Sequence, residues 1–408
     1  MPGQFISPEG DLETMFVSDY AIIDQFAKTG SLWMWGSGGA LGNNTTTTVS
    51  SPVQTISGGT NWKLVSTNYY GGPNTVAIKT DGTLWGWGLN NSYGQLGDNT
   101  IAAKSSPVQT IASGTNWLQA SSGGHTTGAV KTDGTLWLWG KGIYGNLGDN
   151  TVVSKSSPVQ TIASGNNWKQ VSVSATNTGA IKIDGTLWLW GYNVRGGVGD
   201  NTASSRSSPV QTVSGGTNWK QVSLGGFPLN DFTSATKTDG TLWTWGVNRF
   251  GQLGDNTTVN KSSPIQTIAG GTNWQQVSCG NSHTGAIKTD GTLWTWGLNT
   301  DGQLGDNTIA LKSSPVQTVA GGTNWKQVSA GEAFTAAIKT DGTLWTWGRN
   351  GQTFPFVLVR GTLGDNTAVN KSSPVQTAAG GTNWKQVSTG NAGGAIYFYD
   401  AFNLYPSA

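Results

Sequence analysis

The stretch Gly291–Asp341, GTLWTWGLNTDGQLGDNTIALKSSPVQTVAGGTNWKQVSAGEAFTAAIKTD, decides the fold because the rest of the chain repeats it. Its Leu-Trp-x-Trp-Gly motif occurs seven times at spacings of 51 to 55 residues, with first tryptophans Trp33, Trp85, Trp137, Trp188, Trp243, Trp294 and Trp345. Its Asn-Trp motif also occurs seven times, at Trp62, Trp117, Trp168, Trp219, Trp274, Trp325 and Trp384. Three tryptophans per copy account for all 21, so none marks a unique site.

Each copy of the repeat contains four predicted β-strands. In the first, Leu293–Trp296, successive side chains alternate between two faces, as a strand requires. The other three are Pro315–Thr318, Trp325–Ser329 and Ala336–Lys339. Thr340–Thr343 is a tight-turn sequence that leads into the next copy. The 61 glycines and 13 prolines interrupt every window in which a helical period would be needed.

Seven units of four strands predict an all-β fold, a seven-bladed β-propeller of four-stranded antiparallel blades. The ends of the chain complement each other, since Ala395–Tyr397 takes the fourth-strand position of the last unit and Tyr20–Phe26 precedes the first Leu-Trp. We therefore predict that N- and C-terminal strands pair and close the ring. The predicted organisation is an acidic arm at residues 1–24, a propeller at 25–400 and a tail at 401–408.

The run DGTLWTWGxNxxGQLGDNT, followed by SSPVQT and VSxGxxHTGAIK, resembles the repeat of the regulator of chromosome condensation family. The resemblance extends over about residues 26 to 400 and implies a seven-bladed propeller. It also implies two activities known for the founding member, nucleotide exchange on a small GTPase and chromatin binding, although many members have neither. The histidine of the family's Gly-x-x-His element remains only at His125 and His283, which indicates that it is not a required ligand here.

Composition restricts the partners. Charged residues make up 11% of the chain and the formal net charge is +2, so we expect no basic field for nucleic acid. The single cysteine, Cys279, is predicted to be a buried hydrophobe. With no charged-then-apolar leader at the start and no apolar run near 18 residues, the sequence predicts synthesis in the cytoplasm without a signal peptide and no membrane span.

Catalytic and metal-binding patterns are weak. The aspartates recur in the Thr-Asp-Gly and Gly-Asp-Asn-Thr motifs of nearly every unit, where a side chain that bonds its own backbone explains them better than acid catalysis. His125 and His283 belong to different units, and no cysteine pair or phosphate-binding glycine loop accompanies them. We predict that the protein is not an enzyme and needs neither a cofactor nor a metal.

Residues 1–24 differ from the repeats. They carry five acidic residues and no lysine or arginine, together with apolar residues such as Phe5, Leu12 and Phe16. A disordered arm would have fewer apolar residues, so we expect it to pack, either on the propeller or on a partner subunit. The run GQFISPEGDLE is similar to the start of bacteriophage-encoded members of the family, a resemblance that implies a place in the virion.

Three insertions interrupt the regular spacing, near residues 68–73, 226–232 and 353–360. In an up-and-down blade all three connections emerge on the same side of the disc, so the sequence predicts one elaborated face and one plain face. Loops on a rigid scaffold usually carry function. The apolar residues of these insertions are therefore the candidate partner-binding set: Tyr69, Tyr70, Phe227, Leu229, Phe232, Phe354, Phe356, Val357 and Leu358.

Two structural alternatives stay open for these loops, which are plugs over the central channel or a small-molecule site. We also expect the 69–70 and 353–360 loops to be adjacent. The sequence favours a binding or structural propeller without enzymatic activity, such as a bacteriophage virion protein that contacts a partner subunit or host surface in adhesion. The alternatives are a glycan-binding propeller and, by family analogy, a guanine nucleotide exchange factor.

Overall fold

The computed structural model describes residues 30–56, 59–68, 73–90, 93–112, 114–162, 165–226, 231–354, 357–390 and 392–398. Thirty strands and no helix lie in these ranges. Twenty-eight of the strands form seven antiparallel four-stranded sheets, and the other two form a separate hairpin. The predicted seven-bladed, all-β propeller is confirmed.

From inner to outer strand, the blades are as follows. Blade 1 is β3 (Trp62–Thr67), β4 (Asn74–Lys79), β5 (Leu84–Gly88) and β6 (Lys104–Gln109). Blade 2 is β7 (Trp117–Gly123), β8 (Thr126–Lys131), β9 (Leu136–Gly140) and β10 (Lys155–Gln160). Blade 3 is β11 (Trp168–Val173), β12 (Asn177–Lys182), β13 (Leu187–Gly191) and β14 (Arg206–Gln211). Blade 4 is β15 (Trp219–Gly225), β16 (Phe232–Lys237), β17 (Leu242–Gly246) and β18 (Lys261–Gln266).

The remaining blades follow the same order. Blade 5 is β19 (Trp274–Cys279), β20 (His283–Lys288), β21 (Leu293–Gly297) and β22 (Lys312–Gln317). Blade 6 is β23 (Trp325–Ala330), β24 (Phe334–Lys339), β25 (Leu344–Gly348) and β28 (Lys371–Gln376), with the hairpin β26 (Gly351–Phe354) and β27 (Val357–Arg360) inserted before its last strand. Blade 7 is β29 (Trp384–Thr389), β30 (Ala392–Phe398), β1 (Gly30–Gly36) and β2 (Val49–Gln54).

The ring closes in blade 7, as predicted, through a strand from each end of the chain. Every residue of β1 pairs with β30, from Gly30 opposite Phe398 to Gly36 opposite Ala392. A blade begins at the Asn-Trp strand and ends at the Ser-Pro-Val-Gln strand, so each blade joins halves of two successive sequence repeats. For that reason each terminus contributes two strands to blade 7. The segment Tyr20–Phe26, named above as a candidate closing strand, lies outside the described residues.

The turn between the second and third strands shows why its sequence recurs. In blade 1 the Asp81 carboxylate accepts hydrogen bonds from the Thr83 backbone N–H at 2.9 Å and from the Thr83 hydroxyl at 2.6 Å. The Thr83 hydroxyl in turn accepts from the Trp85 indole N–H at 2.8 Å. Gly82 has φ +78°, and a Cβ there would lie 2.0 Å from the Thr115 carbonyl oxygen of the next connection. Asp-Gly-Thr-Leu-Trp is thus one hydrogen-bonded unit, which confirms turn chemistry for this aspartate.

Neighbouring blades are joined by side chains in place of a backbone ladder. In the inner strands, the Gln276 amide donates to the Val328 carbonyl at 3.1 Å and its oxygen accepts from the Val328 N–H at 2.9 Å. The same two-bond contact is made by Gln119, Gln170, Gln221, Gln327 and Gln386. At the remaining junction, Leu64 of blade 1 occupies the glutamine position and cannot form it.

Serines two residues after the glutamine position make a second contact at all seven junctions, and the glutamines and serines together form a belt around the inner strands. Ser278 Oγ accepts from the Ala330 N–H at 2.9 Å, and Ser388 Oγ accepts from the Thr67 N–H at 3.0 Å across the closure. At the periphery, the asparagine of each Gly-Asn/Asp-Asn-Thr motif has φ near +60°. Its N–H donates to a serine carbonyl on the following blade, as in Asn256 to Ser313 at 2.8 Å. Each blade is therefore tied to its neighbour at both its inner and outer edges.

The two faces of the disc differ as predicted. The loop face carries the connections from first to second strand and from third to fourth strand, and the plain face carries the other connections. The insertions in blades 1, 4 and 6 all begin and end on the loop face. The insertions that contain the 69–70 and 353–360 loops belong to blades 1 and 6 and not to neighbouring blades as expected, because blade 7 lies between them. Residues 69–70 themselves lie outside the described residues.

We predict that Gln276→Ala lowers the free energy of unfolding by about 1–3 kcal/mol, because it leaves a buried N–H and carbonyl of Val328 without partners. Gln266→Ala is the matched control, since the Gln266 side chain is exposed and should change stability by less than about 0.5 kcal/mol. Chemical denaturation of both variants measures the difference. Equal stability of the two would contradict a structural role for the belt.

Candidate functional site

The predicted binding residues fall into three groups. Phe354 lies in β26, and Val357 and Leu358 lie in β27, so these three belong to the hairpin of blade 6. Phe232 lies at the start of β16. The others lie outside the described residues: Tyr69, Tyr70, Phe227, Leu229 and Phe356. The hairpin is the one insertion with regular structure of its own among the described ranges.

Phe232 does not offer its ring to a partner, so the prediction of an exposed side chain is wrong at this position. Its side chain is fully buried and packs with Leu253 and Cys279. Phe232 occupies the strand position that His283 and Phe334 hold in the two following blades, and all three are buried. The insertion therefore ends one residue earlier than the spacing indicated.

An aromatic cluster that the sequence analysis missed lies on the loop face over blades 1 to 3. It consists of Tyr93, His125, Lys141, Tyr144 and Tyr192. The Lys141 ammonium group lies 5.2 Å from the Tyr93 ring centroid and 5.3 Å from that of Tyr144. Tyr93 packs against His125 at 5.1 Å, and Tyr144 meets Tyr192 edge to face at 5.6 Å. Burial, followed by the Lys141 charge, lowers the pKa of His125 to about 4, so its imidazole is neutral near pH 7.

The signal for this cluster was the variation between units in the loop that follows Leu-Trp-x-Trp-Gly, whose first residue is Lys141 in blade 2 and Tyr192 in blade 3. The residue before the Gly-x-Leu/Val-Gly element has four identities in the six units from the second onward: Tyr93, Tyr144, Arg195, Phe250, Asp301 and Arg360. The tryptophans recur in every unit and identify the scaffold, whereas residues that vary between units identify what is particular to one blade. Two exposed aliphatic side chains accompany the cluster, Ile143 at 47% and Val194 at 56% exposure.

A charged group lies at the other side of the same face, at the base of the hairpin. The Arg349 guanidinium contacts the Asp301 carboxylate at 2.8 Å and the Glu332 carboxylate at 3.7 Å. The Asn370 amide also donates to Asp301, at 3.1 Å. Burial raises the pKa of Glu332 above its usual value, against the opposing effect of Arg349. These bonds link blades 5 and 6 where β26 and β27 emerge.

Between these two groups, Asp231 is a buried carboxyl at the end of the blade 4 insertion. It accepts hydrogen bonds from the hydroxyls of Ser174, at 2.5 Å, and Thr176, both on blade 3. Burial is the largest influence and raises the pKa of Asp231 to about 6, although the hydrogen bonds lower it. The side chain therefore links the start of the second strand of blade 4 to blade 3.

The remaining reactive residue types have structural surroundings. His283 is buried, its Nε2 lies 2.9 Å from the Thr335 hydroxyl, and burial lowers its pKa to about 3. Burial raises the pKa of the Cys279 thiol to about 12, which confirms its prediction as a buried hydrophobe. Within the described ranges, no group of three histidine, cysteine or acidic side chains is placed to bind a metal ion. No helix in these ranges has the length and apolar composition to span a membrane.

Comparison with known proteins places this chain in a class. The repeat pattern described as "Regulator of chromosome condensation (RCC1) repeat" matches residues 81–130, 133–181, 239–287 and 290–338. A second pattern of the same description matches residues 274–303 and 325–352, and together the matches cover more than half of the chain. The class is thus a seven-bladed propeller built from these repeats. The chain belongs to the regulator of chromosome condensation repeat family.

Its relatives are diverse. The chain is 29% identical over 313 residues to the ultraviolet-B receptor UVR8 of Arabidopsis thaliana, a match that covers 75% of this chain and 68% of the receptor. It is 28% identical over 319 residues to the human E3 ubiquitin-protein ligase HERC2, of which the match covers only 6%. Among solved structures, Prp20p of Saccharomyces cerevisiae superimposes with a TM-score of 0.76 at 16% identity, over 92% of this chain and 93% of Prp20p. That likeness shows the fold alone.

We predict that the Asp231 carboxyl makes the protein more stable as the pH falls from about 6 to about 4. Its folded pKa of about 6 lies above the ordinary value of 3.8, so the folded state holds a proton that the unfolded state has lost in this range. Relative to wild type, Asp231→Asn should gain stability at pH 7 and lose that gain by pH 4, a change of up to about 3 kcal/mol. Denaturation curves at several pH values measure it, and a pH-independent difference would contradict it.

Proposed function

We propose that this protein is a non-enzymatic binding module that binds a protein partner through its loop face. The observation that supports this proposal is the concentration of residues that break the repeat on that face: the aromatic cluster and the hairpin of blade 6. Blade-to-blade contacts, by contrast, repeat around the ring. The scaffold is uniform, and the insertions and the aromatic cluster are presented together on the loop face.

The aromatic cluster has the chemistry of a protein contact. Tyr144 and Tyr192 keep part of their surface exposed, and the exposed Ile143 and Val194 flank them. Tyrosines combine a large apolar area with a hydroxyl and few rotatable bonds, which is why they are common where binding energy concentrates. The Lys141 charge between two rings adds a cation that would meet acidic or carbonyl groups of the partner.

Three narrower roles from the sequence belong here as proposals. The virion role is supported by the resemblance of residues 3–13 alone, and detection of the polypeptide in purified particles would test it. Nucleotide exchange is supported by family membership, and Prp20p is described as binding Gsp1p and histones. The glycan role has little support, because two tryptophans per blade are buried and the third is half-buried beneath a lysine in six blades.

We predict that the double change Tyr144→Ser and Tyr192→Ser weakens partner binding about thirtyfold or more, because aromatic contacts at an interface centre contribute about 2 kcal/mol. The measurement is quantitative capture of partners by the immobilised protein, followed by titration of the partner identified. Both rings are partly exposed and lie in loops outside the strands, so the variant should keep the fold.

The matched control is Ile268→Ser, which removes a side chain that is 57% exposed at the plain-face end of an outer strand. Binding to this control should equal binding to wild type. A partner lost with Ile268→Ser and kept by the tyrosine variant would place the binding surface on the plain face and overturn the proposal. Removal of residues 352–360 tests the contribution of the hairpin in the same assay.

A further inference from the structure

The plain face carries an excess of positive charge. Its described residues include eleven lysines and six aspartates, an excess of five positive charges. Five lysines lie at the plain-face end of inner strands, around the mouth of the central channel: Lys63, Lys169, Lys220, Lys326 and Lys385. Six end the second strands: Lys79, Lys131, Lys182, Lys237, Lys288 and Lys339. The aspartates belong to the turns: Asp81, Asp133, Asp184, Asp239, Asp290 and Asp341.

This charge is concentrated in a ring. Burial lowers the pKa of Lys169, and the positive charge of Lys220 on the next blade lowers it further. On the second strands, each ammonium group lies over two indole rings, as for Lys131 at 4.7 Å from the Trp117 centroid and 5.1 Å from that of Trp137. The aromatic contacts hold these cations in place without neutralising them.

One groove on this face is lined by apolar residues at positions where other blades have polar residues. It lies between blades 2 and 3 and is lined by Leu118, Lys131, Trp168, Lys169 and Ile183 among others, with a volume of about 370 Å³. Leu118 stands where five blades have lysine and blade 5 has glutamine. Ile183 replaces the threonine of the Lys-Thr-Asp turn and is 67% exposed. Two separate changes therefore make one groove apolar inside a basic surface.

The chain supplies a segment that complements this surface. Residues 1–24 contain Glu9, Asp11, Glu13, Asp19 and Asp24 with no lysine or arginine, so their five negative charges equal the excess on the plain face. The first described residue, Gly30, lies at the plain-face end of β1 and bridges to Asn61. The 29 residues before Gly30 reach up to about 95 Å when extended, several times the roughly 19 Å width of a four-stranded blade.

We infer that the acidic arm, residues 1–24, docks across the plain face of its own propeller, with apolar side chains in the Leu118–Ile183 groove and carboxylates facing the lysines. The arm's apolar residues, including Leu12, Met15 and Phe16, match the groove in kind. The arm then covers the basic mouth of the channel and leaves the loop face clear. This inference concerns the opposite face from the proposed partner site and does not depend on it.

Zero-length carbodiimide coupling of the full chain tests the docking. Lys28 is the first basic residue, so trypsin releases residues 1–28 as one peptide that mass spectrometry can identify with whatever lysine it has joined. We expect this peptide to be joined to Lys131 and Lys169. The ion pair between Lys155 and Asp149 on the loop face provides an internal coupling standard.

The variant Leu118→Gln with Ile183→Thr keeps the fold, because other blades carry these residues at the same positions. It should reduce the yield of arm coupling to Lys131 and Lys169 at least tenfold, whereas Val319→Thr, an exposed plain-face residue of blade 5, should leave it unchanged. An unchanged yield in the groove variant would overturn the inference. In a mixture of normal and ¹⁵N-labelled protein, coupling between labels would assign the groove to the arm of a second copy instead.

Discussion

The inner-strand glutamine that bonds both backbone groups of a valine on the next blade is the contact on which the ring depends. Adjacent blades are separate sheets, so the inner edge of each sheet would otherwise leave its N–H and carbonyl groups without partners. A primary amide offers one acceptor and two donors and can replace a missing strand at that point. Leu64 removes this contact at one junction only, and there the Ser122 N–H still donates to Ser66 Oγ, so the inner strands of blades 1 and 2 stay linked by one side-chain hydrogen bond.

The fold was predictable because the sequence motifs of its strands and turns occur in seven copies. The count of strands and blades, the turns and the two faces all follow from local patterns. The residue at which each blade begins was not predictable in the same way. A sequence repeat can be counted from any of its residues, and only the pairing of β1 with β30 shows which strand starts a sheet. The expectation that the 69–70 and 353–360 insertions belong to neighbouring blades was wrong for this reason, because the half-repeat shift places blade 7 between blades 1 and 6.

The candidate site was predictable in location and less so in content. Insertions identified the loop face, since length changes are visible in sequence. The aromatic cluster required knowledge of which loop positions approach one another, because Tyr93, Lys141 and Tyr192 come from three blades. Phe232 illustrates the opposite difficulty. A phenylalanine beside an insertion resembles a loop residue in sequence, but one step of strand register turns it into the interior.

Departures from a repeat therefore carry information only when exposure is considered with them. Phe232 departs from its equivalents and is buried, where it packs on Leu253 and Cys279 and serves the core. Ile183 departs equally and is 67% exposed, so it does not belong to the core. A single exposed apolar side chain is common on protein surfaces, but Ile183 lines a groove together with Leu118, a second departure from the repeat, and a pair of this kind is better evidence of a contact surface. The same reasoning applies to Ile143 and Val194 on the loop face, which are exposed beside Tyr144 and Tyr192.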